Sequence, residues 1–238
     1  GLRLNIPWFL SGFGYVLFEW VVSTPQLFWV VGLGFWVALV LFTRLYLGSS
    51  NAWRQLVVSL SLLWVSAWMF LLFVSSEVIQ RVFAVAVLLI IGGLLRGAYQ
   101  WVKDSAGYGV IFHLLMSYLA VVTVFVWSGL LFSSNVFLRL PLSLAYVVYF
   151  LLTLLVLRQS FWVMGYSFGK YWHMMVSVAF VMTEVFIAVS VLPVSFYVKA
   201  GLVASFYYAL QAVLRYHYVH HQLTKAVVQR YVFSTVFI

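Results

Sequence analysis

Cysteine is absent from the 238 residues, and charge is scarce: 7% of the chain, with four acids of which Asp104 is the sole aspartate. Without cysteine there is no disulfide, no thiolate metal site and no thiol nucleophile. A single aspartate leaves metal-dependent chemistry on polyphosphates or nucleotide-sugars without ligands for Mg²⁺. Prolines number four, and none falls near the middle of an apolar run. No phosphate loop and no H-E-x-x-H zinc motif occurs. No polar linker or shift in composition divides the chain.

What fills the chain instead is hydrocarbon: 66% of residues are hydrophobic and 20% aromatic. Soluble proteins are about 45–50% apolar and about 25% charged, and a water-soluble chain of this makeup would expose large apolar patches. The bilayer is the solvent that suits it. A transmembrane helix needs about 20 mainly apolar residues, and eight stretches qualify: 4–22, 26–46, 55–74, 78–98, 109–131, 136–157, 174–192 and 194–214. They are far too long for barrel strands and lack the alternating pattern of outer-membrane barrels. The fold expected is therefore an all-α polytopic integral membrane protein of about eight helices in four hairpins. Seven is the alternative, because Asn5, Pro7 and two glycines interrupt the first stretch. Residues 1–214 form the transmembrane domain on this reading, and 215–238 a basic amphipathic tail lying at the headgroups.

Tight turns are expected at Ser23-Thr-Pro25, Ser75-Ser-Glu77, Ser133-Ser-Asn135 and around Pro193, with longer basic loops between them. This alternation sorts the 13 Lys and Arg residues. Arg3, Arg44, Arg54, Arg96, Lys103, Arg158, Lys170, Arg215, Lys225 and Arg230 fall on the side of the N-terminus, and only Arg81, Arg139 and Lys199 on the other. Cytoplasmic loops carry the Lys/Arg excess, so both termini are expected in the cytoplasm. The net charge of +9 is scattered over helix ends. It suits anionic lipid headgroups and gives no face for nucleic acid. The first apolar stretch lacks the basic n-region and cleavage site of a signal peptide. The chain begins at Gly1 and ends in an apolar run, so a processed N-terminus or an excerpt of a longer protein is expected.

Two strings are alike: Leu71-Leu-Phe-Val-Ser-Ser-Glu-Val78 and Leu130-Leu-Phe-Ser-Ser-Asn-Val136, each followed three residues on by an arginine, Arg81 or Arg139. Repeated hairpins, common in transporters, would explain the likeness, as would the ordinary spacing of any set of hairpins. Gly93-Leu-Leu-Arg-Gly97 fits the helix-contact motif G-x-x-x-G, and Gly12, Gly14, Gly32, Gly34 and Gly92 suggest close backbone packing too.

Ionisable groups inside a bilayer are functional hypotheses by default. Glu184 lies about the middle of the seventh stretch, and Lys199 follows the turn at Pro193 at a depth differing by about 5 Å. A Glu184–Lys199 ion pair is expected, either as a clasp or as part of an ion or substrate site; the alternative is a protonated Glu184. Glu19, Glu77, Arg81 and Arg139 complete the charged set of the same half. Glu77 and Arg81 are an i,i+4 pair in the favourable order. A Schiff-base role for Lys199 does not fit, because it lies near the end of its helix rather than midway.

Other motifs carry less. His217-Tyr-Val-His-His221 has the H-x-x-H-H spacing of membrane desaturase boxes, but those centres need about eight histidines and the chain has five. Gly165-Tyr-Ser-Phe-Gly169 matches G-x-S-x-G without the strand–turn–helix context that motif requires. No cofactor or metal is expected. The segment Leu192-Pro-Val-Ser-Phe-Tyr, with Tyr207-Tyr, Leu214-Arg-Tyr-His, Leu223-Thr-Lys and Arg230-Tyr, resembles uncharacterised polytopic membrane proteins of candidate-phyla bacteria. That resemblance covers the last 45 or so residues and implies a bacterial inner membrane, with no catalytic residue to carry over. Three functions stay open: a membrane-embedded structural or complex subunit with a protein partner or a second copy, a transporter with Glu184 and Lys199 lining its path, and an intramembrane enzyme.

Overall fold

The computed structural model describes residues 2–48, 52–163 and 168–220. Eight helices follow one another: α1 Leu2–Ser23, α2 Phe28–Leu47, α3 Ala52–Leu71, α4 Glu77–Lys103, α5 Ser105–Leu138, α6 Leu142–Val163, α7 Phe168–Ser190 and α8 Phe196–His220. A 3-10 turn, Pro25–Leu27, joins the first two. No strand occurs among the described residues. In hydrocarbon every backbone N–H and C=O must find its partner within the segment, and only helices do this without a closed barrel. Helices α1 to α7 are long and apolar enough to cross a membrane. The first stretch is thus continuous despite Pro7, which lies inside α1 in its second turn and removes one N–H from the helix ladder. The helix that departs from the other seven is α8, whose C-terminal half carries Gln211, Arg215 and His217.

One expected turn lies elsewhere. Ser133-Ser-Asn135 is helical, and α5 runs on to Leu138. The Ser133 hydroxyl bonds back to the Leu130 carbonyl at 3.0 Å, which keeps it inside the helix. The break comes at Pro141, which disfavours helical geometry in the residue before it. Arg139 takes a left-handed φ of 52°, and the Asn135 amide donates to the Leu140 carbonyl at 2.7 Å to close the end. The matching string at Leu71–Val78 does form a turn, between α3 and α4. The two alike strings therefore adopt different structures.

The helices pack as two compact units, 1–120 with 159–166 and 121–158 with 167–238. In the first, α1 lies antiparallel to α4, and α2 to α3. Small residues set the approach. A Cβ on Gly14 would meet Phe35 and Leu88 at 2.7–2.9 Å, and one on Gly92 would meet Ser11 at 2.7 Å. Gly32 leaves room for the Trp68 indole to lie on the α2 backbone. Trp68 and Trp64 donate their ring N–H groups to the Phe28 and Gly32 carbonyls at 3.2 and 3.1 Å. Gly12, Gly34 and Gly93 have open space instead, so close packing holds for only part of the glycine set. The core of the second unit is an aromatic stack in which the Phe186 ring lies between Phe132 and Tyr149, 4.3 Å from each.

Candidate functional site

The charged residues that sequence reading singled out separate into three places. In the first unit, α1 and α4 bring Glu19 and Arg81 together at 3.3 Å. Glu77, one turn before Arg81, approaches it at 4.0 Å. Tyr15 donates its hydroxyl to Glu19 at 2.6 Å from one turn deeper in α1. Arg81 thus ties two antiparallel helices near their ends. Its side chain is 46% exposed and that of Glu19 34%, so the tie contributes on the order of 1 kcal/mol. The Glu19–Arg81 contact links residues 62 positions apart and was not legible from spacing, which showed only the local Glu77–Arg81 pair.

The second place is the turn at Arg139, exposed and held left-handed. The third holds a correction. Lys199 does not pair with Glu184: its ammonium donates to the Ser190 carbonyl at 2.7 Å, and its Nζ lies 5.8 Å from the Phe132 ring centre. Ser190 is the last residue of α7, where helix carbonyls lack N–H partners and the dipole end is negative. A cation three residues into α8 satisfies one of them. Glu184 lies six residues earlier in α7, on the exposed side, and no ion pair joins it to Lys199 among the described residues. Sequence spacing set the two about 5 Å apart in depth and carried no record of the direction each faces around its helix.

Several buried hydroxyls, which sequence reading did not single out, turn back on their own helices, while Ser11 of α1 also donates to the Leu88 carbonyl of α4 at 2.7 Å. Ser128 donates to the Val124 carbonyl at 2.7 Å and Thr183 to Ala179 at 2.8 Å. Tyr149, one ring of the aromatic stack, has Ser128 and Thr153 near its hydroxyl. In the first unit a cleft among Gly14, Phe18, Trp64, Trp68, Leu71 and Phe83 is apolar throughout. No cluster of three or more His, Asp or Glu able to hold a metal ion occurs among the described residues. The G-x-S-x-G segment falls partly, and His221 with the tail to 238 wholly, outside the described residues.

Among the described residues, eight helices, seven of them fit to cross a bilayer, define a multi-pass α-helical membrane protein. Comparison with protein-family models, with curated proteins and with solved structures finds no match.

Proposed function

We propose that the chain is a membrane-embedded subunit of a larger assembly. The observation that carries this reading is the parting of Glu184 and Lys199. A permeation path through this chain would bring its ionisable residues to a shared hydrated interior. Instead Lys199 closes the end of α7, Arg81 binds two carboxylates, and Glu184 faces away from the buried side of its helix. Among the described residues, those turned inward are mostly apolar or aromatic, and the buried polar ones are uncharged: hydroxyls, several bonded to local carbonyls, with Gln159 and Gln211.

The membrane is that of a bacterial cell on this proposal, with both termini and the basic loops in the cytoplasm. The ten-to-three division of Lys and Arg and the C-terminal resemblance support that placement. The cytoplasmic cations, including those of residues 215–238, then meet anionic headgroups. Extraction of native membranes in a mild detergent followed by native mass spectrometry tests the assignment. The chain should come off bound to another polypeptide. Recovery as a lone monomer that moves a solute across proteoliposomes would overturn it.

A further inference from the structure

Three of the four acids have their partners within the chain. Glu19 and Glu77 take Arg81, and Asp104 accepts the Gly107 backbone N–H at 3.0 Å. Glu184 is the fourth, and no ion pair or hydrogen bond reaches its carboxyl among the described residues. It lies within the Tyr171–Ser190 span, about 9 Å short of the helix end at 1.5 Å per residue.

Its neighbours on the helix surface form a seam. Helix α7 buries Val178, Met182, Phe186 and Val189; Phe180 and Ile187 are exposed beside Glu184, and along the other edge of that exposed face run Ser177, Val181, Glu184 and Ala188. This edge is spaced by four, three and four residues, the rhythm that keeps one helix in register with another. Ser177 and Ala188 are small, so a second helix can approach closely on both sides of the carboxylate. Acids in this setting pair with cations or face a protein interior.

A second copy docked through this same face supplies no cation. A two-fold axis along the membrane normal sets Glu184 against Glu184 at equal depth. Arg81 and Lys199 are already engaged, and Arg139 stands in the turn beyond α5. We infer that the Ser177–Val181–Glu184–Ala188 face of α7 docks a transmembrane helix of a different protein, one that brings a lysine or arginine to the depth of Glu184. This rests on the subunit reading above and names the chemistry of the partner.

Photoreactive residues placed singly at Val181 and Ala188, with Val147 and Leu45 as exposed comparisons, test it in native membranes. Val181 and Ala188 should crosslink to one polypeptide, at a membrane-spanning peptide that contains Lys or Arg. E184Q should lower that yield about tenfold, the loss of one charged hydrogen bond, while E184D retains it. E184K should crosslink again only when the partner's cation is changed to glutamate. Adducts with lipid alone at Val181 and Ala188, with a second copy, or with a segment lacking a cation would overturn the inference, as would an unchanged yield for E184Q. Protein captured from Val147 or Leu45 but lipid alone from α7 would sink this face and leave the subunit reading standing. Lipid at all four positions would sink both.

Discussion

Gly32 and Gly34 sit two positions apart on α2 and should respond to the same change in opposite ways. At Gly32 an added methyl collides with the Trp68 indole, which is itself stacked on Phe28 at 4.8 Å and on Trp64 at 5.0 Å. Gly32→Ala should destabilise the protein by about 1–3 kcal/mol, the usual cost of overpacking. Gly34 meets nothing within 4 Å, so Gly34→Ala should raise stability by about 0.5–1 kcal/mol through the helix preference for alanine. Unfolding in bicelles monitored by tryptophan fluorescence separates the two. Both glycines were visible as packing candidates in the sequence. Which of them packs depends on the face it occupies, and a run that is apolar on every side carries little record of face.

The same scale distinguishes the roles of Lys199 and Glu184. Lys199→Met removes a charged donor from the Ser190 carbonyl and should cost about 1.5–3 kcal/mol. Glu184→Gln should leave the stability of the isolated chain within about 0.5 kcal/mol. Were the two residues a clasp, both substitutions would destabilise, and the same unfolding measurement would show it.

At the scale of the element, the connection from α5 to α6 carries the sharpest local constraint. A left-handed conformation costs a residue with a side chain about 1–2 kcal/mol, and Arg139 holds one. Arg139→Gly should therefore stabilise the protein by about 1 kcal/mol. Asn135→Ala, which frees the Leu140 carbonyl, should cost about 1 kcal/mol. Thermal unfolding in detergent reads both signs. The expected turn at Ser133 fell short of this one by a physical ambiguity. A Ser-Ser-Asn string reads as a helix terminus in water, yet Ser133 turns its hydroxyl onto the Leu130 carbonyl of its own helix and needs no solvent. Proline has no such choice, and Pro141 marked the true end. The boundaries of α2 and α4 were more legible, because Pro25 opens the 3-10 turn that leads into α2 and the Ser75-Ser-Glu77 segment lies at the start of α4.

Across the whole molecule, class and helix count were readable from length and hydropathy alone, since a bilayer demands long apolar helices whatever their partners. The charged site was not. Neither the rotation of Glu184 and Lys199 about their helix axes nor the 62-residue contact of Glu19 with Arg81 is written in sequence distance. That contact should show as coupling: Arg81→Gln and Glu19→Gln each cost about 1 kcal/mol, and the double variant less than their sum. The absence of cysteine makes the threading directly measurable with single thiols. Ser75→Cys and Arg139→Cys should react with an impermeant maleimide added outside intact cells, and Lys103→Cys only after permeabilisation. Equal labelling of all three in intact cells would contradict the proposed orientation.

Helix α5, at 34 residues, is about 50 Å long, whereas the oily slab it enters is about 30 Å thick. It has to lean steeply or jut past the headgroups. In either posture the lipid tails around it become part of its setting, because a thicker leaflet accepts more of the rod and a thinner one tips it further. Acyl-chain length is thereby a control on how this protein stands. Reconstitution across a series of 14- to 22-carbon lipids should shift its melting temperature upward with chain length, about as expected for a mismatch cost of fractions of a kcal/mol per ångström.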